Sequence, residues 1–237
     1  MLISSQAMIT TMKINMSQIG LTLCLILFVQ SFGSSQTNDF GTWWGVEVRK
    51  KLPHNIRIAM ESEVRLKENS NQLKNIYITP SIQWEPWGWM KIGLQYRFDN
   101  RYKPKGDYFI QQHRLAFDIG FEYPIKRFEI TYRNRTQFEW ADFYSDKKTY
   151  PEMANRNQIG ISYKWPNLPL RTIAEAECWI PLERNAWLSR VRTAATQEYS
   201  VNKMHKLQAC FIFQSQLFRS SPLREYILSL KYVLTFN

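Results

Sequence analysis

Histidine, cysteine and glycine are scarce in this sequence, which has three His, three Cys and nine Gly in 237 residues. No Cys/His spacing suits a zinc site, and no glycine-rich phosphate loop occurs. His54, His113 and His205 share no motif with a serine, so a Ser–His hydrolase is not indicated. The acids have many bases near them, which favours structural ion pairs over acid–base catalysis. We therefore expect no catalytic residues, no metal site and no cofactor.

Long apolar runs are also missing, with one exception. The run at residues 19–29 follows Lys13 and precedes small residues, and it is shorter than the ~20 residues of a membrane-spanning helix. This arrangement is typical of a cleaved signal peptide. The sequence therefore predicts a signal peptide over residues 1–35, with either Met1 or Met12 as the start of translation.

Charges of like sign are also not clustered in this sequence. Lys and Arg outnumber Asp and Glu by 31 to 20, a net charge of +11, but acids and bases are interspersed along the chain. A protein that binds nucleic acid concentrates its bases in a patch or stripe. We therefore expect no nucleic-acid partner.

The cysteine pattern does not predict a disulfide. Only Cys178 and Cys210 follow the predicted signal peptide. In an exported protein two cysteines suggest a bridge. Their positions, however, fall on opposite faces of different predicted strands, so we expect two free thiols.

The dominant signal in the sequence is period-two alternation of apolar and polar residues. In REYILSLKYVLTFN, residues 224–237, Tyr226 and Leu228 fall on one side of a strand, and Glu225 and Lys231 on the other. The alternating segments run to about 11–15 residues, longer than the ~5–6 of a globular strand and suited to a tilted membrane strand. The eleven segments are 40–52, 55–67, 75–85, 89–101, 108–123, 127–141, 155–165, 170–182, 187–200, 205–217 and 224–236.

The two faces of these segments differ in charge. One face is apolar, and we predict that it lacks Lys, Arg, Asp and Glu, with polar members such as His113, Asn134, Thr136 and Gln197. The other face holds acids and bases in near balance, as expected for a polar barrel interior. The residues predicted to form a charge network in the lumen are Arg57, Glu61, Glu63, Arg65, Arg97, Arg114, Asp118, Glu129, Arg133, Arg135, Glu175, Glu177, Arg190, Arg192 and Lys231.

Connections and aromatic residues supply two further signals. Short connections alternate with longer polar ones such as 142–155, and aromatic residues gather beside the short ones. Both patterns are typical of outer-membrane barrels, in which aromatic side chains favour the headgroup region. The predicted membrane-interface aromatics are Trp84, Trp89, Tyr123, Phe128, Trp165 and Phe236.

Together these signals predict one all-β domain over residues 36–237, a transmembrane antiparallel up-and-down β-barrel of about 10–12 strands. A soluble secreted β-barrel or sandwich is the alternative, because its strands also alternate. Eleven segments is an odd number where bacterial barrels are normally even, which leaves the path of residues 39–44 open. Pro80 falls in mid-strand, where we expect a bulge or the barrel seam to accommodate it.

Four segments resemble a known family: DFGTWWGVEVRKKL (39–52), MESEVRLKEN (60–69), IGLQYRFDNR (92–101) and FEITYRNRTQ (128–137). They are similar to an uncharacterised bacterial outer-membrane β-barrel family, domain of unknown function 2490 (DUF2490). The likeness covers nearly the whole predicted mature chain, in segment order and in the Trp–Gly opening. The resemblance implies an outer-membrane barrel of a Gram-negative bacterium. It implies no activity and no catalytic residues.

The expected function is that of a structural barrel or a narrow, porin-like pore whose charged lumen slightly prefers anions. Arg133 and Arg135, two apart on one strand, contribute to the basic excess. Alternatives are a barrel that binds surface ligands through loop 142–155, with Phe143 and Tyr144, or an outer-membrane enzyme acting on lipid or glycan. The expected partners are outer-membrane lipid and the barrel-assembly machinery, which would engage the C-terminal strand, together with a small solute or surface ligand of unknown identity.

Overall fold

The computed structural model describes residues 37–141, 150–183, 188–217 and 223–236, and the predicted signal peptide lies outside these ranges. The described residues form eleven strands: β1 (Thr37–Leu52), β2 (Ile56–Lys67), β3 (Gln72–Trp87), β4 (Met90–Lys103), β5 (Tyr108–Ile125), β6 (Phe128–Ala141), β7 (Glu152–Lys164), β8 (Leu170–Pro181), β9 (Arg190–Ser200), β10 (His205–Gln216) and β11 (Leu223–Phe236). Within the described ranges, the chain forms no helix of the length and apolar character needed to cross a membrane.

The eleven strands close into a single barrel. Each strand pairs antiparallel with its neighbours in sequence, whereas β11 closes on β1 in parallel. The predicted all-β barrel of about 10–12 strands is confirmed, and the closing pair alone departs from the antiparallel pattern. With an odd number of alternating strands the first and last run in the same direction, so the parallel pair follows from the count.

The β1–β11 seam is continuous from the Thr37–Leu223 pair to the Lys50–Phe236 pair. Residues 39–44 therefore belong to a regular strand. Gly41 lies where β1 passes close to β2, because a Cβ at this position would be 2.6 Å from the carbonyl oxygen of Leu66. That separation is too short for a side chain, so the seam needs glycine here.

The connections divide the barrel into two ends. The turn end carries residues 53–55, 88–89, 126–127, 165–169 and 201–204, and the loop end carries 68–71, 104–107, 142–151, 182–189 and 217–222. The predicted alternation of short and long connections holds only in part, because 68–71 and 104–107 at the loop end are no longer than 165–169 and 201–204 at the turn end. His54 and Asn55 adopt φ of 61° and 58°, the left-handed conformation that tight hairpin turns require.

The outer face of the barrel is apolar, with Leu94 46%, Phe117 44% and Ile161 47% exposed. The prediction that this face lacks charge is wrong at two positions. Lys50 is in register with Ile58, and Arg224 is in register with Ser215, so both fall on the outer face close to strand ends.

Polar side chains on the outer face bond to one another. Asn134 donates a hydrogen bond of 2.8 Å to Asn157, and Gln197 donates one of 2.8 Å to Thr172. Tyr96 and His113 are also hydrogen bonded. These pairs satisfy polar groups on an otherwise apolar surface.

Pro80 is exposed on the outer face of β3, in register with Met60 of β2. On its other side the β3–β4 ladder pairs Ile78 with Phe98 and resumes at Ser81 with Gln95, without a shift in register. The expectation of a bulge or the seam at Pro80 is wrong. The ladder omits Thr79 and Pro80 and the strands stay aligned, which suits a residue that has no N–H to donate.

Inside the barrel, apolar residues pack beneath the seam. Ile227 is 1% and Val233 0% exposed, although both lie on the polar side of the β11 alternation. Ile227 packs with Trp43 and Ile212. Cys210 packs against this cluster and Cys178 lies on β8, and both are free thiols, as predicted.

Candidate functional site

The barrel encloses a cavity of about 1390 Å³ with a highly charged wall. Thirteen basic and eleven acidic residues line the cavity, a net charge of +2. Twelve of the fifteen predicted lumen residues are among them: Glu61, Glu63, Arg65, Arg97, Arg114, Arg133, Arg135, Glu175, Glu177, Arg190, Arg192 and Lys231. Arg57, Asp118 and Glu129 do not line the cavity. Asp118 instead pairs with Arg135 at 2.6 Å, and the other two lie nearer the turn end.

The cavity extends toward the loop end. Lys67, Glu68, Lys103 and Pro104, which end β2 and β4 or follow them, all line it. At mid-barrel its wall includes Glu61 and the residue that pairs with it, Lys231. Within the described residues, the cavity therefore reaches the loop end of the barrel.

At the turn end the inward positions hold a layer of ion pairs, which we call the turn-end plug. Its pairs are Glu47–Arg49 at 2.6 Å, Arg57–Glu85 at 2.9 Å, Glu198–Lys206 at 2.7 Å, Lys91–Glu122 and Glu129–Arg171. None of these ten residues lines the cavity. Three of the pairs join neighbouring strands, Glu129–Arg171 spans from β6 to β8, and Glu47–Arg49 lies within β1. Among the described residues, the cavity thus does not extend into this layer.

A chain of alternating aromatic and guanidinium groups crosses the cavity wall. The Arg65 guanidinium lies 3.7 Å from the Trp43 ring and 4.7 Å from the Tyr77 ring, and the Arg97 guanidinium lies 3.7 Å from Tyr77. Arg192 continues the chain, 5.5 Å from Trp43. Stacking of this kind fixes each guanidinium plane and offsets part of its desolvation.

The opposite wall holds the densest group of bases, which we call the arginine cluster: Arg133, Arg156, Arg190 and Arg192, with Glu175, Glu177 and Trp179. Four adjacent strands, β6 to β9, supply these residues. Glu177 is 3% exposed and accepts two hydrogen bonds from Arg156, at 3.0 and 2.9 Å, and one from Arg133 at 3.1 Å. Arg192 is directly opposite Glu177 in the β8–β9 ladder but remains 3.9 Å away.

Trp179 forms the floor of the arginine cluster. Its ring lies 4.3 Å from the guanidinium of Arg156, 4.7 Å from that of Arg192 and 5.5 Å from that of Arg190. The ring is 7% exposed. Three cations therefore lie around one aromatic ring, and two of them, Arg156 and Arg192, lie within 4 Å of the Glu177 carboxylate.

Sequence reasoning omitted Arg156 from the predicted site and overlooked the inward aromatics Trp43, Tyr77 and Trp179. The sequence contained the signal for these residues, because each falls on the same face of its strand as the charged residues that point into the lumen. Loop 142–155 was the alternative candidate site. Phe143 and Tyr144 lie outside the described residues, and Tyr150 is 84% exposed.

All six predicted interface aromatics lie on the outside of the barrel near the turn end, at Trp84, Trp89, Tyr123, Phe128, Trp165 and Phe236. Neighbouring rings are in contact: Trp87 and Trp89 stack with centroids 5.5 Å apart, and Phe128 and Tyr163 are tilted with centroids 4.8 Å apart. At the loop end, Tyr102 and Phe109 lie 5.3 Å apart. The barrel thus carries an aromatic group near each end.

The sequence and the fold are similar to those of known proteins. A family model described as "Protein of unknown function (DUF2490)" matches residues 40–222. No curated protein gives a significant match. Among solved structures, the chain is similar to the beta domain of the Bordetella autotransporter BrkA, with 9% identity and a TM-score of 0.46, covering 74% of this chain and 82% of that one.

Proposed function

The chain belongs to the DUF2490 family of proteins of unknown function, and on that premise we propose that it is an outer-membrane barrel with a cup-shaped lumen. The cup admits small solutes, anions in preference, from the loop end and does not pass them through. The turn-end plug is the observation that carries this proposal. Of the two functions expected from the sequence, it favours the structural barrel over the narrow pore.

Membrane insertion is supported by the outer surface. Twelve residues separate Phe109 from Phe121 on β5, about 30 Å along the axis at ~3.3 Å per residue and a ~40° tilt. This span is close to the ~25 Å apolar band of outer-membrane barrels between their aromatic girdles. Lys50 and Arg224 lie close to strand ends, where charge costs least.

The preference for anions follows from the cavity wall. Its net charge of +2 is spread around the barrel, with one excess base on β6 to β9 and three on β4 and β5, partly offset by acids elsewhere on the wall. In a confined lumen such an excess raises the local concentration of anions. The loop end of a barrel in the outer membrane faces the cell exterior, so solutes would enter from outside.

Removing part of the turn-end plug is expected to turn the cup into a channel. We replace Glu47, Arg49, Glu129 and Arg171 together by alanine, which deletes two neutral ion pairs and leaves the net charge unchanged. Wild-type protein, inserted in a planar bilayer, should be silent. The quadruple variant should show discrete current steps with a preference for chloride over potassium.

The matched control replaces Lys67 and Glu68, an ion pair of 3.1 Å at the open loop end, by alanine. It should remain silent, because no barrier lies there. Insertion of each protein is verified by a heat-dependent gel shift. Steady conductance by the wild type would refute the cup-shaped lumen and support the narrow pore instead.

A further inference from the structure

We propose that the arginine cluster is a binding site for one phosphate group, presented either as free phosphate or as a phosphomonoester. This inference rests on the proposed function, since the ligand must enter through the open loop end. It goes further by naming the residues that bind and the chemistry of the ligand.

The charge of the cluster is the first reason. Four guanidiniums face two carboxylates, Glu175 and Glu177, a net charge of +2. The neighbouring charges cancel in pairs, because Arg135 bonds to Asp118 and Glu225 bonds to Lys74. Like charges confined in a narrow lumen repel, so the cluster is incomplete without an anion. A dianion would neutralise it, whereas chloride would supply only half of the charge.

The available donors are the second reason. The Arg133 side chain is 32% and the Arg192 side chain 20% exposed to the cavity. Among the described residues, Nε of Arg133 finds no hydrogen-bond acceptor although it is shielded from solvent. Arg192 donates from Nε and Nη2 to Gln214, and its ion pair with Glu177 is long, at 3.9 Å. Both arginines retain N–H groups that a ligand can engage.

The rigidity of the cluster is the third reason. Arg156 is held by Glu177 and by the Trp179 ring, and Arg190 and Arg192 lie over the same ring. Planar guanidiniums fixed in this way match the oxygen atoms of a phosphate, which accept charge-assisted hydrogen bonds from several forks at once. A carboxylate has one oxygen fewer and one negative charge fewer, so it fits the charge of this site less well.

Binding is measured by equilibrium dialysis of radiolabelled inorganic phosphate against the purified full-length protein in detergent, at constant ionic strength set by chloride. We expect saturable binding of one phosphate per barrel. Arg133→Gln and Arg192→Gln should each weaken binding at least tenfold. Arg171→Gln, which removes a lumen arginine from the turn-end plug instead, should leave it unchanged.

Folding of each variant is checked by the heat-dependent gel shift. If a cluster variant fails to fold, the wild-type protein alone still tests the proposal. Phosphate should slow its thermal unfolding more than chloride does at equal ionic strength. Absence of saturable binding to folded wild type overturns the proposal. Equal weakening in Arg133→Gln and Arg171→Gln overturns it as well, since the effect would then be one of general charge.

Two probes separate the sources of the phosphate group. Glycerol phosphate that competes with inorganic phosphate at similar concentration identifies a phosphomonoester ligand, and failure to compete identifies the free ion. If the wild-type barrel conducts no current and binds no phosphate, only the phosphate-binding proposal is refuted. A conducting wild type would refute the cup and leave the binding site to be judged by dialysis.

Discussion

Leu94→Arg should destabilise the barrel in lipid vesicles by about 2–4 kcal/mol, the cost of placing an arginine near the centre of the lipid-facing band. Leu94 is 46% exposed on the outer face and lies among apolar neighbours, in register with Ile82 and Phe117. The free energy of unfolding is measured by urea titration in vesicles, with tryptophan fluorescence as the signal. This substitution discriminates most directly between a membrane barrel and a soluble one.

The matched control is the next residue, Gln95→Arg. Gln95 lines the cavity and donates a hydrogen bond of 3.1 Å to Asp118, so an arginine there faces polar groups and an acid. Its effect should stay below about 1 kcal/mol, as for a surface substitution. If Leu94→Arg is as mild as Gln95→Arg, the outer face does not contact lipid, and the secreted soluble barrel becomes the better description.

Glu177→Gln should cost about 3–5 kcal/mol of unfolding free energy in phosphate-free buffer, as expected when one partner of a buried ion pair is removed. The Glu177 carboxylate is 3% exposed and accepts hydrogen bonds from Arg156 and Arg133. Without its charge these two guanidiniums and Arg192 remain close together with no shared counter-charge. The same urea titration measures the loss.

Glu175→Gln is the control for this variant. Glu175 lines the same wall two residues away, and among the described residues it forms no ion pair within 4 Å. Its neutralisation should cost less than about 1 kcal/mol, in the range of ordinary partly exposed charges. Equal losses in the two variants would mean that total charge, and not the hydrogen bonds to Glu177, stabilises the cluster.

The strand pattern could be predicted from the sequence because parity is a local property. Every second residue of a strand shares an environment, so Arg97, Glu177 and Lys231 could be assigned to the lumen one segment at a time. Parity does not give residue type: Ile227 and Val233 have lumen parity but are apolar and buried, and Ile227 packs with Trp43 and Ile212.

The cup could not be predicted from the sequence. Its depth depends on which side chains pair, because Glu47 is in register with Glu61 on β2 but bonds to Arg49, whereas Glu61 bonds to Lys231. It also depends on the reach of long side chains, since the Arg133–Glu177 bond spans from β6 to β8. Parity places a residue inside or outside the barrel but does not give its height along the axis or its partner.

The parallel seam has a consequence for how this polypeptide is displayed in a membrane. Strand β1 starts at the loop end, and β11 finishes at the turn end, because eleven crossings are an odd number. A membrane barrel of even strand number returns its chain to the side where it entered. In the proposed membrane barrel, a peptide epitope placed just before Thr37 and another placed just after Phe236 would be exposed on opposite surfaces of the bilayer.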